Sequence, residues 1–258
     1  DEFPSGYFSL KTWCDENQAA LKVVGPDKDA PTLGESWNKN LLESITSETA
    51  VVLMSSVHWM NGLKFDLESI GQKCKTVGAI FIVDGTQSTG VAQMDVKRFK
   101  IDALICAGYK WLLGPYATGF LYAAPKHRSG RPLEQNWITR KGASNFARLI
   151  DYSDEFGAGA ERFDMGERSN FALLPAFESA VRTILDWGVE NVERTLRTRN
   201  ADLSQRLNSV GVLCPPEAER GPHYLCPLLP DSAPEDLTAR LKAEGIFVSR
   251  RGDRLRIT

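Results

Sequence analysis

Three short apolar runs between residues 79 and 123 constrain what this chain can fold into more than any other stretch. Residues 79–83 are apolar and β-branched, and the run stops at Asp84 and Gly85. Residues 103–107 form a second run that stops at Gly108, Tyr109 and Lys110; a turn at Gly114 and Pro115 leads into a third run, 119–123. Continuous apolar runs of this length belong to strands covered on both faces. Upstream, residues 50–55 read as another strand. Asp66 then opens a segment with Leu67, Ile70, Cys74 and Val77 at helical spacing, closed by Gly78. Strand, helix and strand make a βαβ unit, so the expected class is α/β with a mainly parallel sheet between helices. Open sheets of this kind bind ligands at the carboxyl ends of their strands. Asp84 and Lys110 therefore reach the same rim.

An acid and an amine on neighbouring strand ends can form a plain salt bridge. Their company points to chemistry instead. Gln87 and Ser88 follow Asp84, and Lys110 is flanked by Gly108, Tyr109 and Trp111. A lysine for a Schiff base and an acid opposite a pyridinium nitrogen form the inventory that pyridoxal phosphate needs. A free lysine, with pKa about 10.4, is almost wholly protonated at neutral pH. Burial and a nearby cation lower that value and make the amine nucleophilic. The charge-assisted hydrogen bond from ring nitrogen to carboxylate contributes roughly 1.5–3 kcal/mol.

VDGTQSTG at 83–90, a spacer with Asp102, and AGYKWLLGPYATGFLY at 107–122 together resemble the core of the class V aminotransferase family of fold type I pyridoxal phosphate enzymes. That group includes aminotransferases, cysteine desulfurases, isopenicillin epimerase-like proteins and kynureninases. The resemblance implies a transferase-like large domain and a smaller α+β C-terminal domain, with pyridoxal 5'-phosphate as cofactor. By the same resemblance Lys110 is catalytic and carries the Schiff base, Asp84 holds the pyridinium nitrogen, and Gln87 faces the ring hydroxyl. Tyr109 stands where the family often has a phosphate-binding histidine, Ser88 joins the cofactor group, and Phe3 aligns with the residue stacked on the ring. Ala107 takes the place of a phosphate-binding serine. Arg256, in LRIT, matches the arginine that clamps the substrate carboxylate, a planar group suited to a guanidinium fork. His58 and Trp59 follow a third strand end and are candidates for the substrate pocket. The segment from Arg162 to Gly166 resembles one that reaches the neighbouring subunit's cofactor phosphate, with Glu167 in the family's threonine slot.

The family's phosphate-binding turn lies upstream of residue 1 and its terminal element beyond residue 258, so the chain is expected to lack both segments. The expected division is a cofactor-binding domain over 1–170, then linking helices and a small domain over 171–258. Amphipathic stripes predict helices over 171–187, 189–208 and 234–244. Residues 20–24 and 212–229 carry strand signals, residues 41–45 read as a short helix, and 246–249 and 254–258 read as paired strands.

With 258 residues, 42% of them hydrophobic, the chain can bury a large core. Its net charge of −2, with no basic block, gives no electrostatic footprint for nucleic acid. No apolar run reaches membrane length and no signal peptide opens the chain. The five scattered cysteines point to a reducing cytoplasm, and the three dispersed histidines to no metal site. Gly157 and Gly159 open like a dinucleotide fingerprint, but Arg162 takes the third glycine's place. The expected activity is a class V aminotransferase acting on an amino acid, as a homodimer by resemblance. A lyase or epimerase of the same family and a non-catalytic scaffold are the alternatives. Residues 249–254 hold no cysteine to take up sulfur, which argues against a persulfide mechanism.

Overall fold

A computed structural model describes residues 2–258. The elements that position the site are α1 (Pro4–Glu16), α2 (Leu33–Ser44), β1 (Val51–Ser55), α3 (Leu67–Val77), β2 (Ile80–Asp84), β3 (Ala103–Ala107) and β4 (Gly119–Ala123). Downstream lie α4 (Leu173–Trp187), α5 (Val189–Ser209), α6 (Leu237–Ala243), β5 (Ser249–Arg251) and β6 (Arg254–Arg256).

The main sheet has the order β1-β2-β3-β4. β1 and β2 run parallel with Val51 opposite Ile80 and Ser55 opposite Asp84; β2 and β3 run parallel with Asp84 opposite Ile105. β4 returns antiparallel, Ala107 facing Gly119, so the sheet is parallel except at this edge. Its register brings the carboxyl ends of β1, β2 and β3 level, and the loops after them share one rim.

α3 begins where the Asp66 carboxylate accepts the Ser69 N–H at 3.0 Å and ends where Gly78 takes the left-handed conformation, φ 83°. Such a cap contributes about 1 kcal/mol. Ile70 and Cys74 on this helix meet Phe81 and Val83 of β2 in the core, together with Trp37, Met54, Ile101 and Leu104. The helix approaches closely because Gly71 has no side chain: a Cβ there would sit 1.9 Å from the Phe99 carbonyl oxygen. Phe81 is fully buried. Phe81→Ala is expected to cost about 3–5 kcal/mol, seen as a lower urea midpoint at unchanged m-value.

At the opposite end of β3 from the rim, buried Asp102 accepts the Phe81 N–H at 3.0 Å and pairs with Lys126 at 2.7 Å. Burial pushes this carboxyl up, but the Lys126 ammonium and the Phe81 N–H outweigh it and hold it below the usual range. Asp102 is thus a strut between β2 and β3, remote from the rim.

Three local expectations differ. Residues 20–24 form no strand; the segment is anchored to α2 instead, with the Trp37 indole N–H donating to Val24 O at 2.8 Å and the Asn40 amide to Gly25 O at 3.0 Å. α2 starts at Leu33, well before residue 41, because Gly34 is accommodated inside it against Glu219. Residues 212–229 hold no named strand, since the prolines there remove ladder donors. Leu225 nevertheless exchanges hydrogen bonds with Ile257, extending the β5–β6 hairpin by a third chain.

Candidate active site

Asp84 ends β2, and the turn after it is stitched to β3. The Thr86 N–H donates to Asp84 Oδ1 at 2.8 Å, while Thr86 Oγ1 accepts the Ala107 N–H at 3.1 Å. The Gly85 N–H donates to Ile105 O at 2.8 Å. These bonds hold the carboxylate and the approach to Lys110 in one frame. Thr86 was not singled out by the sequence, although its place two residues after a strand-terminal aspartate fits an Asx-type turn.

Lys110 is half-buried, and its amine proton affinity is lowered. Burial is the principal cause; the Asp84 carboxylate opposes it, and the Arg256 guanidinium adds to it. Charges from β2 and from β6 therefore both act on Lys110, in the loop after β3. The Lys110 Nζ lies 5.8 Å from the centroid of the Phe3 ring and 5.9 Å from that of Tyr109. Phe3 stands edge-on to Trp59 at 5.6 Å. Its position is set by Glu2, whose carboxylate accepts the Ser55 N–H at 2.6 Å and the Ser55 hydroxyl. The start of the chain is thereby fastened to the end of β1. Arg256 donates from Nη1 to Trp59 O at 3.2 Å, and its guanidinium lies 5.6 Å from the Tyr224 ring centroid.

Asp84, Lys110, Phe3, Trp59 and Arg256 are thus brought together. Gln87 joins them through Tyr224, whose hydroxyl donates to Gln87 Oε1 at 2.7 Å. Tyr109 stacks on Tyr116 at 4.3 Å beside the lysine. Two other sequence candidates lie elsewhere. Ser88 is buried, with its hydroxyl engaged by Ser56 Oγ and Gly85 O, so it braces the turn. His58 is 4% exposed, 4.8 Å from the Trp37 ring, with Nδ1 against Asn61 Oδ1 at 2.9 Å. Its ring centroid lies 6.3 Å from that of Trp59. A cavity of about 640 Å³ between α1, α2 and β1 is lined by His58 and Glu2 but by neither Asp84 nor Lys110.

The donor set fits pyridoxal phosphate at its ring end. A lysine with lowered proton affinity, a carboxylate acting on it from the adjacent strand and an aromatic ring facing its Nζ are the groups the cofactor requires. Ala107 brings no hydroxyl to the phosphate end.

The family model for aminotransferase class V matches residues 4–255. This chain belongs to the class V aminotransferase family. The family depends on pyridoxal phosphate. An uncharacterized aminotransferase of Schizosaccharomyces pombe is 26% identical to this class V member over 256 residues, covering 95% of this chain and 62% of its own length. A probable cysteine desulfurase of Pyrococcus abyssi is 43% identical over 90 residues, 34% of this chain. Among solved structures, a C-DES mutant with glycine covalently linked to its PLP cofactor superposes with TM-score 0.83 at 19% identity, over 99% of this chain and 67% of that one. The apo cysteine desulfurase of Thermococcus onnurineus superposes with TM-score 0.76 at 21% identity, over 97% and 64%. At these identities the structures establish the fold of this class V chain, a fold type I α/β architecture. The chain spans under two thirds of the length of the S. pombe relative.

Four of the five cysteines of this class V chain are buried. Burial pushes the thiols of Cys74, Cys106 and Cys226 up to about 11, which disfavours their thiolates. The stretch 249–254 is occupied by the β5–β6 hairpin and carries none.

Proposed function

We propose that this chain forms the cofactor and substrate site of a pyridoxal phosphate enzyme that transaminates an α-amino acid. The observation carrying the proposal is the half-buried Lys110 at the strand-end rim, its Nζ 5.8 Å from the Phe3 ring centroid, with Asp84 and Arg256 both near enough to act on its charge. When bound, pyridoxal phosphate supplies an electron sink for a carbanion at the substrate α-carbon.

The protein's own groups have separable tasks. Asp84, its carboxylate oriented by the Thr86 N–H, would keep a proton on the ring nitrogen. Phe3, fastened by the Glu2–Ser55 contact, would cover a face of the bound ring. Lys110, its proton affinity lowered by burial, holds the cofactor and removes the proton from the substrate α-carbon. Arg256 binds the substrate carboxylate; its bond to Trp59 O fixes one edge of the fork and leaves the rest for the ligand. Tyr109 stands where the family often has a phosphate-binding histidine and would contribute there.

Elimination and epimerisation would use the same groups. A titration of the pyridoxal phosphate-loaded protein with single amino acids, without a keto-acid acceptor, separates the three. Transamination predicts stoichiometric conversion of the absorbance to the pyridoxamine form by at least one amino acid. Pyruvate or racemised amino acid without that conversion contradicts it, and failure to take up cofactor leaves the scaffold reading.

The remaining assignments belong to the same proposal: a cytoplasmic homodimer, with a cofactor domain over 1–170 and a smaller domain over 171–258. Phe146, Ile150, Tyr152 and Phe171 are exposed large apolar side chains, and a two-fold interface would cover them. No described helix is long and apolar enough to cross a membrane.

A further inference from the structure

The proposed function gives Gln87 a place at the cofactor ring hydroxyl, but a glutamine amide has two unlike edges. One edge donates two N–H bonds, the other accepts, and only the donating edge stabilises negative charge on a ring oxygen. Something in the protein must decide which edge faces the site.

Resting on that proposed function, we infer that Tyr224 is a positioning residue that turns the Gln87 amide so that its N–H edge faces the cofactor. The Tyr224 hydroxyl donates to Gln87 Oε1 at 2.7 Å, which claims the accepting edge for the protein. Among the described residues no hydrogen bond occupies Gln87 Nε2. The phenol is a dependable donor, since burial pushes its pKa up to about 12. His223 completes the clamp. Its Nε2 donates to the Gln87 backbone oxygen, and its ring stands edge-on to Trp111, the neighbour of Lys110, at 4.6 Å. Backbone and side chain of Gln87 are therefore held by two consecutive residues.

The rest of the packing serves the same contact. Tyr224 is 1% exposed, and Gly62 makes room for it: a Cβ on Gly62 would lie 2.5 Å from the Tyr224 Cβ, and its φ of +70° also favours glycine. Arg220 donates to Tyr224 O at 3.3 Å. The opposite property of Tyr224 is its ring, which lies under the Arg256 guanidinium. One side chain thus serves the cofactor through its hydroxyl and the substrate-binding Arg256 through its face.

That division gives the test. The chromophore of the protein loaded with pyridoxal phosphate releases a proton at a measurable pH midpoint, and an N–H donor to the ring oxygen keeps that midpoint low. Tyr224→Phe should raise the midpoint by roughly half to one pH unit, the worth of one hydrogen bond, while KM for the amino acid stays unchanged because the ring remains under Arg256. Tyr224→Leu should raise both. Gln87→Glu, which still accepts from Tyr224 but offers no N–H, should also raise the midpoint. In a Gln87→Ala background Tyr224→Phe should add nothing, because both act through one group. A midpoint unmoved by Tyr224→Phe or by Gln87→Glu overturns the inference, as does an equal shift in the Gln87→Ala background. Uptake at Lys110 is read beforehand as a borohydride-fixed adduct. Its absence from the unsubstituted protein overturns the proposed function, and this inference falls with it.

Discussion

Lys110→Ala abolishes the borohydride-fixed pyridoxal phosphate adduct and lowers amino-acid turnover by roughly 10²–10⁴-fold, the contribution expected of a positioned general base. Peptide mapping of the reduced protein and single-turnover kinetics measure the two effects. The protein should still fold, since Lys110 is half-buried and lies in the loop after β3, outside the core cluster. Lys110→Arg should fail equally. An arginine keeps the positive charge beside Asp84 but stays protonated at any working pH, so it can neither bond to the cofactor nor take up a proton. A protein whose adduct maps to another lysine, or whose turnover survives either substitution, is not using the rim described here.

Stability should fall steeply in mild acid because two buried histidines resist protonation. Burial pushes both His58 and His223 down from 6.5 to about 4. The Asn61 bond opposes this at His58, as does the bond to the Gln87 oxygen at His223. Above pH 6.5 both histidines are neutral whether the chain is folded or not, and neither affects stability. Between 6.5 and 4 the unfolded chain binds protons that the folded one refuses, so stability is lost as pH falls. Each histidine contributes a loss on the order of 3 kcal/mol across that window. Urea unfolding at a series of pH values should show a slope approaching two protons, and His58→Gln should remove about one. A flat profile would mean that the two rings are open to water.

The elements that build the rim were legible in the sequence because each is specified locally. β1, β2 and β3 are apolar runs with a polar stop, and α3 carries both its Asp66 cap and its Gly78 end. Asp84 and Lys110 could be found for the same reason, each standing at the end of its own run. Tyr224 could not. Its hydroxyl partner Gln87 is 137 residues away, and the segment holding it is interrupted by Pro222 and Pro227, so no period marks which side chain points inward. Residues 20–24 read as a strand because they are mostly apolar, yet Val24 O is taken by Trp37 and the adjoining Gly25 O by Asn40, both of α2. His58 illustrates the converse difficulty. A histidine after a strand end looks available for a ligand, and only the packing of Trp37 on one side and Asn61 on the other shows it to be buried.

The geometry of Lys110 and Asp84 around one ring is tested most directly by a crystal structure of the protein grown with pyridoxal phosphate. The expected map shows density continuous from the Lys110 Nζ into the cofactor, with the Asp84 carboxylate at the ring nitrogen. A cofactor bound away from Lys110, or one whose ring nitrogen faces anything but Asp84, would contradict it.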